Sequence, residues 1–389
     1  MTDWDAEFRV HGSEWLPDQW VMQLCRVLLV AVQCAGVATL VWYCVQAGSW
    51  WGFLLAAGIF AVSILIQEAG HAMGALLCGA TITRAQLGPI EICPLRDGVR
   101  MRWKRSSREY SGFVMSFPSP RKSFRRQMVV ITVAGPMATM VAAVAGFAVA
   151  GRLGNSLGDA LLGFAIFNAA HATANLLPWV SRSVASNGLQ LLRWMRGIDE
   201  KDPQFVFVAF NARLISGERF GAWADDYLRV LERGPQPGPM FVVWTRLKLA
   251  QIRGEWDRVD EHMRQMEQQV MALSPPLLKA LTGFIAIARC EAAFSRAMAG
   301  EPLDASPVEI LGSDMGWLLP ALRLRCQALE CLLHRQFDLA MLRLQESEHW
   351  SLRSVDRSLE HGEAPLRQAL AARIERDRQE SARHLAARP

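Results

Sequence analysis

From Val27 to Gln67 the chain carries no charged side chain. About 20 apolar residues suffice to cross a bilayer, so a run this long excludes an ordinary water-soluble N-terminal half. The segment before it has no basic stretch. It holds Asp3, Asp5, Glu7, Glu14 and Asp18 instead, which argues against a cleavable signal peptide and leaves the first apolar segment as an anchor. A strong net charge is also missing. The formal balance over 389 residues is only +5, too small and too dispersed to attract nucleic acid. The eight cysteines, Cys25, Cys34, Cys44, Cys78, Cys93, Cys290, Cys326 and Cys331, show no metal-like pairing, and they read as reduced, packed thiols. Beyond Gly197 there are no strand-like runs and no ion-binding or phosphate-binding motif.

What the chain does have is segregated. Apolar residues make up 51% and charged residues 20%, with the uncharged runs in the first half and most of the acids in the second. Ala47-Gly48-Ser49 divides the long run into two predicted spans, about Val27–Gln46 and Trp51–Leu77. Met128–Ala150 is a third span. Asp159–Pro178 is a fourth, shorter and less apolar, with Asn168, His171 and Asn175 inside it. Between spans two and three lie Arg84, Arg96, Arg100, Arg102, Lys104, Arg105, Arg108, Arg121, Lys122, Arg125 and Arg126, whereas the opposite connections offer only Arg152. The positive-inside bias puts the basic segment, and with four spans both termini, in the cytoplasm; the expected location is the plasma (inner) membrane of a bacterium, as a multi-pass protein.

Late in the second span stands Gln67-Glu68-Ala69-Gly70-His71. Ionisable residues are costly in hydrocarbon and mark function by default. A zinc-protease helix reads H-E-x-x-H: two histidines on one face grip the metal, and the glutamate activates its water. Here the glutamate and the second histidine are present, and glutamine replaces the first histidine. The wider stretch Gln67–Gly79 (QEAGHAMGALLCG), then Leu87-Gly88-Pro89, Ala134-Gly135-Pro136, Asn175-Leu176-Leu177-Pro178 and Ser186-Asn187-Gly188, resembles in order and placement the site-2 protease (M50) family of intramembrane zinc metalloproteases. That resemblance covers roughly residues 50–195.

Carried over position by position, the resemblance implies Gln67, His71 and Asn187 as the zinc ligands and Glu68 as general base. Gly135, Pro136, Asn175, Pro178 and Gly188 are supporting motif residues. Two of the three ligands are thus amides, weak partners for zinc beside imidazole or carboxylate. The expected site is a metal-free polar cluster in which Glu68 hydrogen-bonds to Gln67, His71 or Asn187. His171, one helical turn before Asn175, is an alternative ligand.

Two further patterns complete the reading. After the turn signal Asp97-Gly98, Val99, Met101 and Trp103 alternate with Arg100, Arg102 and Lys104, a period of two that predicts a strand with one apolar and one basic face. With Ile82–Ile92 it forms a hairpin. In the family such an element offers an edge to an unwound substrate segment; alternatively its basic face lies against anionic headgroups. In the second half, Gly217-Glu218-Arg219-Phe220, Arg253-Gly254-Glu255-Trp256 and His334-Arg335-Gln336-Phe337 each precede a predicted amphipathic helix, ending near Glu232, Ala272 and Ser347. The aromatics are 36 and then 81 residues apart, which resembles tetratricopeptide-like helical repeats of about 34 residues; a plain helical bundle is the alternative. A last helix is expected from Pro365 to about Ala387.

The fold class expected is mainly α: a polytopic membrane domain of about four spans plus a short β-hairpin (27–197), preceded by a cytoplasmic segment (1–26) and followed by a soluble all-α repeat-like domain (198–389). The function expected is a non-catalytic site-2-protease-like protein, embedded in the lipid bilayer. It binds a membrane-protein or peptide client and, on the helical repeats, a protein partner. The alternatives are an active intramembrane metalloprotease, with zinc as cofactor, and a membrane-anchored repeat scaffold.

Overall fold

The computed structural model describes residues 19–48, 50–104, 112–153, 155–181, 184–196 and 201–386. The acidic N-terminal residues, Ser49, Arg105, Arg108 and the expected boundary at Gly197 lie outside them. The chain is mainly helical, with a small four-stranded sheet. It divides into two units, one of Met1–Pro94 with Gly98–Ala212, the other of Leu95–Asp97 with Arg213–Pro389. The division thus falls at Ala212, beyond the boundary expected after residue 197.

Four helices build the first unit: α1 (Gln19–Gly48), α2 (Trp51–Cys78), α3 (Phe124–Ala150) and α4 (Ser156–Leu176). Three of them, α1, α2 and α3, are long and apolar enough to cross a membrane. The fourth expected span forms a 21-residue helix but is not among these three. Its polar face accounts for the difference: Asn168 is fully buried and donates from Nδ2 to Ser63 Oγ of α2 at 2.9 Å. Helix α4 packs on α1 and α3, and α2 packs on α3.

The α2–α3 crossing is set by small residues. A β-carbon built on Gly70 would stand 2.6 Å from the Ala134 carbonyl oxygen, and one on Gly74 the same distance from the Ala134 methyl. Gly70 and Gly74 form a G-x-x-x-G face, whose lack of side chains lets the two helix backbones approach closely.

Between α2 and α3 the chain forms β1 (Thr81–Leu87), β2 (Ile90–Leu95), β3 (Gly98–Trp103) and β4 (Phe113–Phe117), in the spatial order β3-β2-β1-β4. The expected hairpin is therefore a four-stranded sheet. Gly88-Pro89 turns the chain between β1 and β2, which pair antiparallel with Leu87 opposite Ile90. Strand β4 returns antiparallel on the other side of β1 and becomes an edge. After α4, the short strands β5 (Val180–Ser181) and β6 (Val184–Ala185) pair antiparallel and lead into α5 (Asn187–Arg196) and α6 (Pro203–Ile215).

The second unit contains α7 (Ala222–Glu232), α8 (Gly238–Ile252), α9 (Trp256–Met271), α10 (Pro275–Ala299), α11 (Pro307–Leu318), α12 (Pro320–Leu333), α13 (Phe337–Arg353) and α14 (Ser358–Ala386). Consecutive helices pack in pairs, α8 on α9, α10 on α11 and α12 on α13. The reversals are sharp where the sequence pattern places them. Gly254 and Arg335, each two residues before the aromatic that opens the next helix, take left-handed φ values of 72° and 56°. The last helix starts at Ser358 rather than Pro365, with Pro365 inside it.

Across this core runs a buried ion network. Arg325 of α12 donates from Nε to Glu363 of α14 and from Nη2 to Glu291 of α10, both at 2.7 Å. Lys248 of α8 reaches Glu291 at 2.7 Å, and the guanidinium lies 4.0 Å from the Phe294 ring centroid.

Candidate functional site

The residues singled out in the sequence come together where α2, α3, α4 and the start of α5 meet. Gln67 and His71 are four apart on α2, slightly over one turn, and so share a face. His71 is held from both sides. Its Nδ1 lies 2.8 Å from the Ile131 carbonyl of α3, and its Nε2 lies 3.2 Å from Nδ2 of Asn187. The carbonyl can only accept, so Nδ1 carries the proton and Nε2 is left to accept from the Asn187 amide.

The ring fits only because Gly135 faces it, since a β-carbon at that position would lie 2.2 Å from Nε2. This is the structural reason for the Ala134-Gly135-Pro136 element.

Asn187 is placed by the turn that precedes it. Ser186 caps α5, its Oγ accepting from Leu189 N at 3.1 Å and donating to the Leu177 carbonyl at 2.7 Å. Gly188 then permits the close approach of α5 to the end of α4, because a β-carbon there would lie 2.0 Å from the Leu176 carbonyl oxygen. Pro178 stands in the turn between these elements.

Asn175 has a larger part than a supporting motif residue. Its Nδ2 donates to Gln67 Oε1 at 2.9 Å and to the His171 carbonyl at 3.0 Å. The His171 ring stacks on Phe167 with a centroid separation of 5.7 Å, and its Nε2 is 3.3 Å from the same Asn175 nitrogen. His171 thus belongs to the Gln67–Asn175 arm of the cluster, while His71 and Asn187 form the other arm.

Glu68 departs from the expectation. It is 8% exposed, yet no described residue hydrogen-bonds its carboxyl, and the expected bonds to Gln67, His71 or Asn187 do not form. Gln67 Oε1 instead accepts from Asn175, and both ring nitrogens of His71 are taken up by Ile131 and Asn187. Instead the backbone at Gly112, just before β4, closes over the Glu68 side chain; a β-carbon on Gly112 would be 2.4 Å from its Cγ. The Glu68 side chain of α2 therefore faces the segment that leads into the edge strand β4.

The residues present do not fit a zinc ion. Among the described residues no group of three His, Cys, Asp or Glu side chains is placed to hold a metal. His71 offers one ring nitrogen, and that nitrogen faces an amide; Gln67 and Asn187, the other two positions expected from the sequence, are neutral amides. A tetrahedral site needs imidazole, thiolate or carboxylate donors at about 2.0–2.3 Å.

Sequence reasoning missed Ile131, Gly112 and the buried Ser63–Asn168 pair. The pair had a signal: Ser63, Gln67 and His71 recur every four residues on α2, and Asn168, His171 and Asn175 recur every three or four on α4. No family model, curated protein or solved structure matches this chain.

Proposed function

We propose that this chain is a site-2-protease-like membrane protein that has given up catalysis and retains recognition. In this reading the first unit is a polytopic membrane domain that holds a membrane-protein or peptide segment beside Glu68 and the β4 edge. The second unit is a cytoplasmic tetratricopeptide-like domain that docks a protein partner. The observation that carries the reading is the amide network at the family's ligand positions. Asn187 is bonded to His71 and Asn175 to Gln67, so the side chains that would bind a metal satisfy one another. The order of motifs and three helices of membrane-crossing length support a multi-pass membrane protein; in this reading α4 is a fourth, shorter span, the basic residues between α2 and α3 face the cytoplasm of a bacterium, and both ends lie on that side.

A second reading, an active intramembrane metalloprotease with an atypical ligand set, is favoured by one observation only: Glu68 is retained, buried and without a partner among the described residues. A third, a membrane anchor for the helical repeats, leaves the polar cluster without a role.

Elemental analysis of the protein purified in detergent separates these. The expected result is no stoichiometric zinc in the natural chain, with metal binding gained when Gln67→His and Asn187→Asp are combined. Near one zinc per chain, lost on His71→Ala, would overturn the non-catalytic reading and establish the protease.

A further inference from the structure

The four-stranded sheet is inside out. In a water-exposed sheet the polar residues face solvent and the apolar ones face the core. Here Val99, Met101 and Trp103 of β3 are 60%, 65% and 68% exposed, and Ile90 of β2 is exposed as well. The charged residues are turned the other way. Glu91 is completely buried; Arg102 pairs with it through Nε at 2.6 Å, and Arg84 pairs with its second oxygen. Arg84 also covers the Phe113 ring of β4, 5.3 Å from the centroid. The basic face expected to meet headgroups is thus the inner face, where Arg84 and Arg102 share one carboxylate, and the outer face is apolar.

We propose that this outer face, Val99, Met101 and Trp103 with Ile90, is a lipid-binding surface seated at the boundary between acyl chains and headgroups. The proposal rests on reading α1, α2 and α3 as membrane spans. The sheet is tethered tightly to two of them: β1 begins at Thr81, directly after α2 ends at Cys78, and β4 ends at Phe117, shortly before α3 begins at Phe124. Any surface this close to two spans meets the bilayer or is shielded from it. Depth follows from the backbone. Strand β3 is an edge, and unpaired peptide groups are not tolerated in hydrocarbon, so the strand cannot lie in the acyl core. At the interface, water reaches the edge while the side chains enter the lipid. Trp103 suits that level, where tryptophan is enriched. Arg121 and Arg126, exposed where the chain enters α3, supply cations for lipid phosphate.

The test uses the full-length chain in liposomes of phosphatidylethanolamine and phosphatidylglycerol, with a photo-crosslinking phenylalanine analogue placed singly at Met101, Trp103, Phe53 or Asp304. Phe53 is an exposed residue of α2, and Asp304 is a solvent-exposed residue of the second unit. The expected result is phospholipid adducts, identified by mass spectrometry, at Met101, Trp103 and Phe53 and none at Asp304. Lipid adducts at Phe53 with none at Met101 and Trp103 would overturn the proposal while leaving the membrane reading intact. Protein adducts at Met101 and Trp103, to a second copy or another chain, would overturn it in favour of a docking face. No lipid adduct at any of the four would remove the membrane reading and the proposal with it.

Discussion

At the residue scale, the cluster around His71 is governed by donors that satisfy one another. The imidazole is fixed in one tautomer by the Ile131 carbonyl and the Asn187 amide and has Gly135 behind it. Gly135→Ala would force a methyl into space held by the ring. Overpacking of this kind costs about 1–3 kcal/mol, so the variant is expected to melt at lower temperature in detergent. The same substitution in a His71→Ala background should cost far less, because the obstructing ring is gone. A double-mutant cycle on melting temperature reads the coupling; equal costs in both backgrounds would mean that Gly135 and His71 are not in contact.

At the element scale, two kinds of joint hold the helices. In the first unit, α2 and α3 meet through Gly70, Gly74 and Ala134, with backbone approach in place of side-chain interlock. Gly74→Leu should therefore separate the two helices and destabilise the fold, while Gly58→Leu on the same helix, where a β-carbon meets nothing within 4 Å, should be tolerated. Urea titrations of the two variants check this contrast. In the second unit the joint is ionic. Arg325 links α10, α12 and α14, with Lys248 adding α8. Arg325→Met leaves Glu291 and Glu363 buried without their guanidinium, and breaking such a pair costs about 3–5 kcal/mol. The variant should fold poorly, and adding Glu291→Gln with Glu363→Gln should restore part of the loss. A lack of any rescue would point to lost packing rather than unpaired charge.

At the scale of the whole molecule, the two units have separate cores, and the second is crossed by a buried network of charged groups. Burial alone would push the Glu291 carboxyl up; Arg325 and then Lys248 outweigh it and hold it at about 2. The folded value therefore lies below the unfolded one, about 4.3. The stabilisation is full above that unfolded value and is lost as pH falls toward the folded value. Residues 213–389, produced alone, should show a cooperative helical melt whose midpoint is flat near neutrality and drops between about pH 4 and pH 2. Glu291→Gln should flatten part of that drop. An unchanged acid profile in the variant would show that other carboxylates control it.

The amino-acid sequence determined much of this by itself. Uncharged length called for the long apolar helices, the positions of Gln67, His71 and Asn187 in their motifs marked the cluster, and the Gly254 and Arg335 turns marked helix reversals; each is a local property of consecutive residues. Tertiary structure decided the rest. That α4 is less apolar than its neighbours follows from a polar face turned toward Ser63 and Gln67, and only the packing shows which residues oppose it. The period of two in Val99–Lys104 specifies two faces without saying which is buried, and the choice fell to Glu91, a residue on another strand whose carboxylate pairs with both Arg84 and Arg102. Glu68 has no hydrogen-bond partner among the described residues, and no local pattern foretold that either. Which donors reach which acceptors is set by the meeting of α2, α3, α4 and α5, contacts between residues as far apart as His71 and Asn187, and no local pattern encodes such distances.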